Sequence, residues 1–113
     1  MPPYKFGDIV QVVIPDPNAV NPKSRPSVVL QITPAGIAIV AAITSSSIPD
    51  PLPPGHFDLP WQHGKHPRTG LDRRSVIKCF WQAAVPIGQI DRKVGFVPPK
   101  ILHEIAEFLA KNP

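Results

Sequence analysis

The chain has 113 residues, with 12 lysines and arginines, 8 aspartates and glutamates, and a formal charge of +4. This length suits one domain with a modest core, so residues 1–113 are interpreted as a single domain, and a cofactor domain joined to a substrate domain is excluded. With 42% hydrophobic and 18% charged residues the chain belongs to the globular class. Its positive charge favours a polyanionic partner.

The sequence predicts a cytoplasmic protein without a membrane anchor. The longest apolar run, Gly36–Ile43, is much shorter than the roughly 18 residues of a membrane-spanning helix, and Met1–Lys5 lacks the apolar core of a signal peptide. The single cysteine, Cys79, forms no intrachain disulfide and anchors no cysteine-rich zinc site. The 17 prolines argue against long helices.

Three strands are predicted in the N-terminal half. The β-branched segment Ile9–Ile14 lies between turn signals. The segments Ser27–Ile32 and Ile37–Ile43 flank Thr33–Gly36, a short link with proline and glycine that predicts an antiparallel hairpin. Because the third segment is apolar on both faces, we expect it at the centre of the sheet.

The second half begins with a long polar segment. Ser45–Gly70 contains many prolines and predicts a mostly irregular loop, with Phe57–Leu59 as a short edge strand. Arg74–Trp81 has the composition of a strand, while Gln89–Ile90 and Val94–Phe96 give weaker strand or turn signals.

The C-terminal segment predicts an amphipathic helix. Pro99 suits the first helical turn, where its missing N–H is not needed. Apolar residues follow at spacings of three and four, namely Ile101, Leu102, Ile105, Phe108 and Leu109. Together the elements predict a mostly β fold: a five- or six-stranded antiparallel barrel or curled sheet closed by one C-terminal helix.

Common nucleotide, zinc-protease and hydrolase motifs are absent from the sequence, so function must be inferred from scattered side chains. Lys23–Pro26 is either a solvated loop end or a site where Arg25 offers its planar fork to a phosphate. Thr44–Ser47 follows the third strand, where hydroxyls usually form turns with their own backbone. If the strands are neighbours, however, Arg25 and Thr44 lie on one rim and form a pocket for a phosphoryl group.

The long loop supplies a third group of candidates. His56, His63 and His66 suit a solvated loop, a metal cluster or an acid–base pair, and their spacing is weak support for the last two. The five basic residues in Lys65–Lys78, together with Trp61, are typical of a surface for single-stranded nucleic acid. A tryptophan at such a position also suits a core or an interface.

Four short motifs occur in a characteristic order: G-D-I-V at Gly7–Val10, R-P-x-V-V-L at Arg25–Leu30, I-T-S at Ile43–Ser45 and G-L-x-x-x-S-V at Gly70–Val76. With the final apolar helix, this order resembles the PemK/MazF family of toxin endoribonucleases over nearly the whole chain. The resemblance implies an SH3-like barrel, shared with the gyrase poison CcdB, that forms a homodimer. It also implies a cognate antitoxin protein that covers the RNA groove.

The same resemblance implies the activity and the site. Arg25 and Thr44 match the catalytic pair of the family, which cleaves single-stranded RNA, including mRNA, at short sequences without a metal or another cofactor. Attack by the 2′-hydroxyl leaves 2′,3′-cyclic phosphate and 5′-hydroxyl ends. The residues expected to bind RNA are Lys23, Ser45, Ser46, Trp61 and Arg68.

Two departures from the family pattern predict altered substrate choice or weakened activity. Residues 18–23 contain no acid to serve as a general base, for which His56 is one replacement, and Cys79–Gln82 lacks the usual Asp-Gln after the Cys-like position. The alternative function is a weakly active or inactive RNA-binding or regulatory module of the same fold. A CcdB-like gyrase poison is disfavoured because residues 104–113 contain no tryptophan.

Overall fold

The computed structural model describes residues 3–18, 20–46 and 48–112. Ala19, and Ser47 of the hydroxyl run, lie outside the described residues, as do both chain ends. The described residues form six strands and one α-helix, which confirms the mostly β class with a C-terminal helix. The elements are β1 (Asp8–Ile14), β2 (Lys23–Ile32), β3 (Ile37–Thr44), β4 (His56–Leu59), β5 (Ser75–Pro86), β6 (Ile90–Phe96) and α1 (Pro99–Lys111).

The six strands form one antiparallel sheet in the order β4-β5-β3-β2-β1-β6. The predicted hairpin of β2 and β3 is confirmed, and Gly36 in its turn has a φ of +80°. β3 lies between β5 and β2, as expected for a strand that is apolar on both faces. The prediction of β4 as a short edge strand is also confirmed.

Two predictions for the C-terminal half were wrong in extent. The strand predicted at Arg74–Trp81 continues to Pro86, because Ala83 pairs with Val40 and Val85 with Ala38 in β3. Of the two weak signals after it, Ile90 and Val94–Phe96 belong to a single strand, β6, while Gln89 ends the short 3-10 turn Ile87–Gln89 that precedes this strand.

The loop between β4 and β5 closes the sheet into a barrel. The backbone N–H of Phe96 in β6 donates to the carbonyl oxygen of Arg68 in this loop at 2.8 Å. The approach is close enough that a Cβ on Gly95 would collide with the Arg68 carbonyl, and one on Gly70 with the Val94 carbonyl. This contact links the two edges of the sheet, and the architecture is that of an SH3-like barrel.

Both faces of the sheet are packed. On one face α1 covers a cluster that includes Ile9, Val28 and Ile77, and Ile105 of the helix is fully buried in it. Pro99 lies in the first turn of α1, as predicted. The other face carries a cluster of β-branched residues and alanines against which Trp81 packs, and this is the face that leads to the candidate site.

Candidate active site

The pairing of β2 with β3 brings Arg25 and Thr44 to the same face of the sheet. Ser27 lies opposite Ala42 in this pairing. Arg25 and Thr44 each lie two residues beyond that pair, at the same end of the sheet. Because side chains alternate along a strand, both residues share the face of Ser27 and Ala42.

Arg25 and Thr44 line one open cavity of about 320 Å³. Lys23, Arg25 and Arg73 give it three cationic side chains, against the single carboxylate of Asp72 among the described residues. This excess of positive charge suits a phosphodiester. The lining residues are Lys23, Ser24, Arg25, Pro26, Ile43, Thr44, Ser45, Ser46, Leu71, Asp72, Arg73 and Ser75.

Arg25 makes no ion pair with a carboxylate in the described part of the chain, in contrast to Arg73, Arg74 and Arg92. Its Cζ instead lies 4.6 Å from the centroid of the Trp81 ring, a cation–π distance. Its Nε is buried and has no hydrogen-bond partner among the described residues. The terminal Nη groups are therefore the donors that Arg25 can offer to a ligand in the cavity.

The hydroxyl of Thr44 forms a local turn. Its Oγ1 donates to the carbonyl oxygen of Ser46 at 3.1 Å and accepts a hydrogen bond from the Ser46 N–H at 3.2 Å. This is the turn-forming arrangement that the sequence allowed for a hydroxyl after a strand. Ser45 and Ser46 of this turn line the cavity wall. A phosphate oxygen can accept the hydrogen bond from the Thr44 hydroxyl only if it replaces the Ser46 carbonyl.

Asp16 organises the connection between β1 and β2 that precedes Arg25. Its Oδ1 accepts hydrogen bonds from the N–H groups of Asn18 and Val20, each at 3.1 Å. The Val20 hydrogen bond is the main cause that lowers the pKa of Asp16 below its usual value, and the charge of Arg25 adds to this effect. Asp16 is therefore ionised at neutral pH and holds this connection in place.

Sequence reasoning missed the wall formed by Leu71, Asp72, Arg73 and Ser75. In the pairing of β3 with β5, Thr44 lies opposite Val76, so the segment before β5 runs beside the end of β3. Asp72 and Arg73 form an exposed ion pair of 3.3 Å. Their motif was visible in the sequence, but only the pairing of β5 with β3 shows that it borders the cavity.

His66 stabilises the long loop. Its Nδ1 accepts hydrogen bonds from the N–H groups of Arg68 and Thr69 at 3.1 and 3.2 Å. His63 borders a different cavity beside Arg73. Among the described residues, no group of three or more histidine, cysteine, aspartate or glutamate side chains is arranged to hold a metal ion.

His56 does not line the cavity that contains Arg25 and Thr44. It begins β4 opposite Lys78 and lines a separate cavity of about 200 Å³ with Phe80 and Trp81. This placement does not support His56 as the replacement base, and it leaves Asp72 as the carboxylate of the Arg25–Thr44 cavity among the described residues.

The five residues expected to bind RNA separate into two groups. Lys23, Ser45 and Ser46 line the cavity with Arg25 and Thr44. The other two lie outside it in the loop between β4 and β5, where Trp61 is 48% exposed and Arg68 is also exposed.

Positive charge continues beyond the cavity. A neighbouring cavity of about 350 Å³ shares Asp72 with the first and is bordered by Lys65, Arg92 and Lys93. Arg92 and Lys93 are each paired with an aspartate, which reduces but does not remove their attraction for a polyanion. The surface therefore offers positive charge over a longer distance than one phosphate requires.

The fold and the site define a small β-barrel protein with a cationic cavity suited to a phosphodiester. The family model of the PemK-like, MazF-like toxins of type II toxin–antitoxin systems matches residues 5–112, and the chain belongs to this family. A comparison with the curated proteins gave no match. No helix in the described ranges is long and apolar enough to cross a membrane.

Proposed function

We propose that the chain is the toxin of a type II toxin–antitoxin system and acts as a sequence-specific, metal-independent endoribonuclease on single-stranded RNA, including mRNA. The observation that carries this proposal is the cavity in which Arg25, without a carboxylate partner among the described residues, lies beside Thr44 in a chain of this toxin family.

The chemistry requires little more than positioning and charge stabilisation. The 2′-oxygen of RNA is held next to its own phosphate, so in-line attack on phosphorus forms the 2′,3′-cyclic phosphate and breaks the bond to the 5′-oxygen. The 2′-hydroxyl loses its proton, and the departing 5′-oxygen gains one to become a hydroxyl. A metal-bound water is not required as the nucleophile, because the nucleophile belongs to the substrate.

Each side chain of the cavity then has a role. The Nη groups of Arg25 stabilise the negative charge that develops on the phosphoryl oxygens. The Thr44 hydroxyl exchanges the Ser46 carbonyl for a phosphate oxygen or for the 2′-oxygen. Asp72 lines the cavity and accepts the 2′-hydroxyl proton through Oδ2, because its ion pair with Arg73 engages Oδ1.

The remaining predicted contacts hold the RNA on either side of the scissile phosphate. Lys23, Ser45 and Ser46 bind the nucleotides at the cavity. The exposed Trp61 stacks on an unpaired base farther along the strand, and Arg68 binds a phosphate there. The positive surface beside the cavity makes binding depend on salt concentration.

The proposal includes an antitoxin partner, a homodimer and a cytoplasmic location. A cognate antitoxin would inhibit the toxin by covering the cationic cavity, and the chain would work as a homodimer in the cytoplasm, where RNA is available. Light scattering coupled to size-exclusion chromatography measures the dimer directly. Co-expression with the protein encoded beside the toxin gene tests the antitoxin.

The test is incubation of the purified protein with a long unstructured RNA in excess EDTA, followed by mapping of the cut sites and the ends. We expect cuts at one short sequence with cyclic-phosphate ends, and no cuts in single-stranded DNA. Thr44→Val removes the hydroxyl at nearly constant shape, and Thr44→Ser is its matched control because it keeps the hydroxyl. Intact RNA across several sequences, from folded protein free of antitoxin, would contradict the nuclease.

A second function is an RNA-binding module without catalysis. The observation that favours it is that the Thr44 hydroxyl donates to the Ser46 carbonyl and that Asp72 Oδ1 is paired with Arg73. Binding of RNA without cleavage, unchanged by Thr44→Val, would support this alternative.

A further inference from the structure

The guanidinium of Arg25 lies against an aromatic ring and forms no ion pair with a carboxylate among the described residues. A free arginine side chain has considerable rotamer freedom, which must be removed if its guanidinium is to meet a phosphate in one geometry. Arg25 forms no ion pair among the described residues, and its buried Nε has no partner there. Its guanidinium lies over the Trp81 ring, with Cζ 4.6 Å from the ring centroid.

The Trp81 ring is itself held in place. Its Nε1–H donates to the carbonyl oxygen of Pro15 at 3.0 Å, which joins β5 to the connection that follows β1. The Trp81 side chain also packs against the cluster of buried residues on this face of the sheet. The indole is therefore a rigid support under Arg25, with its orientation set from two directions.

The sheet also leaves room for this contact. β3 lies between β5, which carries Trp81, and β2, which carries Arg25. On the face against which Trp81 packs, β3 carries Ala42, which is fully buried. Its small side chain leaves room for the indole to reach Arg25 across the intervening strand.

We propose that Trp81 is a positioning residue for the nuclease site: its ring holds the Arg25 guanidinium so that the Nη groups face the scissile phosphate. This inference rests on the proposed function. Trp81 touches neither the substrate nor the reacting atoms in this role; it acts through Arg25. Its loss should lower kcat more than it raises KM, because the charge of Arg25 remains while its geometry is lost.

The kinetic test uses Trp81→Leu and Trp81→Phe, with Phe80→Leu as the matched control. Phe80 is the neighbouring residue on β5, is 67% exposed and packs edge-to-face against Phe108 instead of contacting Arg25. The substrate is an RNA oligonucleotide that carries the mapped cut site. Trp81→Leu should lower kcat about 30-fold and leave KM within about threefold of the parent value. The reason is that misplacing a catalytic group by about 1 Å lowers the rate by up to about 10²-fold. Trp81→Phe keeps an aromatic face and should recover most of this loss, and Phe80→Leu should cut at the parent rate.

Two comparisons separate positioning from a general loss of structure. In an Arg25→Ala background, Trp81→Leu should cause no further decrease in kcat, because the group that it positions is already absent. Thermal unfolding of each variant shows whether the barrel remains folded. Equal kcat for Trp81→Leu and the parent, or the same loss with and without Arg25, would overturn the proposal.

An NMR measurement without RNA tests the Arg25–Trp81 contact independently of the nuclease activity. The indole ring current should move the NMR signal of the Arg25 Nε proton upfield in the parent protein, and Trp81→Leu should return it to the usual arginine region. If the leucine variant does not fold, Trp81→Phe replaces it, and its smaller ring current should move the signal only part of the way back. If the parent protein cuts no RNA, the proposed function is wrong. If the Arg25 Nε proton signal of the parent already lies in the usual arginine region, the Trp81 contact is refuted, whether or not the protein cuts RNA.

Discussion

The guanidinium of Arg25 stacks over the indole of Trp81 across an intervening strand, with the Arg25 Cζ 4.6 Å from the ring centroid. The arginine is thus oriented without a carboxylate that would neutralise it. A cation that is fixed in place but not paired is well prepared to stabilise the charge of a phosphoryl transition state.

Replacement of Arg25 by lysine tests whether charge alone is sufficient. Lysine keeps the positive charge but loses the planar fork, so Arg25→Lys should retain RNA binding and lower kcat by about 10²-fold. Binding is measured with an RNA that carries a 2′-deoxynucleotide at the cut site, and kcat with the cleavable RNA. A lysine variant that cuts at the parent rate would show that the fork geometry is not needed.

Asp72 and Asp91 provide a matched pair for testing the general base. Each forms an ion pair with the arginine that follows it, but only Asp72 lines the Arg25–Thr44 cavity in the described part of the chain. Asp72→Asn should lower kcat by about 10²-fold, as expected for loss of a positioned base, while Asp91→Asn should have little effect. Equal rates for the two variants would exclude Asp72 as the proton acceptor.

Replacement of Gly95 by alanine tests the contact that closes the barrel. A Cβ at this position would collide with the Arg68 carbonyl, so Gly95→Ala should lower the free energy of unfolding by about 1–3 kcal/mol. At Gly88 a Cβ would meet no atom within 4 Å, so Gly88→Ala should change stability by less than about 0.5 kcal/mol. Urea denaturation measures both, and equal stability of the two variants would contradict the close contact between the loop and β6.

Cys79 should make stability depend on pH in the alkaline range. Burial raises the pKa of its thiol from 9.0 to about 11. Below about pH 9 the thiol is protonated in both states, and its contribution to stability is fully present. As the pH rises from about 9 to about 11, the unfolded state loses the proton first, and this contribution is lost.

The measurement for Cys79 is the difference in free energy of unfolding between the parent and Cys79→Ala as a function of pH. The difference should fall above about pH 9, and a difference that stays constant to about pH 11 would contradict a buried neutral thiol. At about pH 8 the native thiol should also react with iodoacetamide far more slowly than the urea-unfolded chain does.

Local sequence patterns predicted much of the fold. The hairpin of β2 and β3 followed from the turn residues Thr33–Gly36, and α1 followed from its apolar spacing and Pro99. The end of β5 could not be predicted in this way. Gln82–Pro86 has little strand character of its own, and it is extended because it pairs with β3. Tertiary pairing outweighed local composition there.

The candidate site was predictable only in part. Arg25 and Thr44 were identified as possible neighbours from strand order and motif, and the register of β2 against β3 brings them together. The Arg25–Trp81 contact crosses a strand and depends on which strands are adjacent, which no local pattern reveals. The wall at Asp72 and Arg73 required the same long-range pairing.

The measurement that tests the central claim most directly uses two RNA oligonucleotides that differ only in the 2′-hydroxyl next to the scissile phosphate. In excess EDTA, the parent protein should cut the full RNA to a cyclic phosphate and leave the 2′-deoxy version intact, although it binds both. Arg25→Ala, with an unchanged unfolding transition, should cut the full RNA about 10³-fold more slowly and leave the 2′-deoxy version intact. Cleavage of the 2′-deoxy oligonucleotide, or undiminished cleavage by folded Arg25→Ala, would contradict 2′-hydroxyl attack at the Arg25–Thr44 cavity.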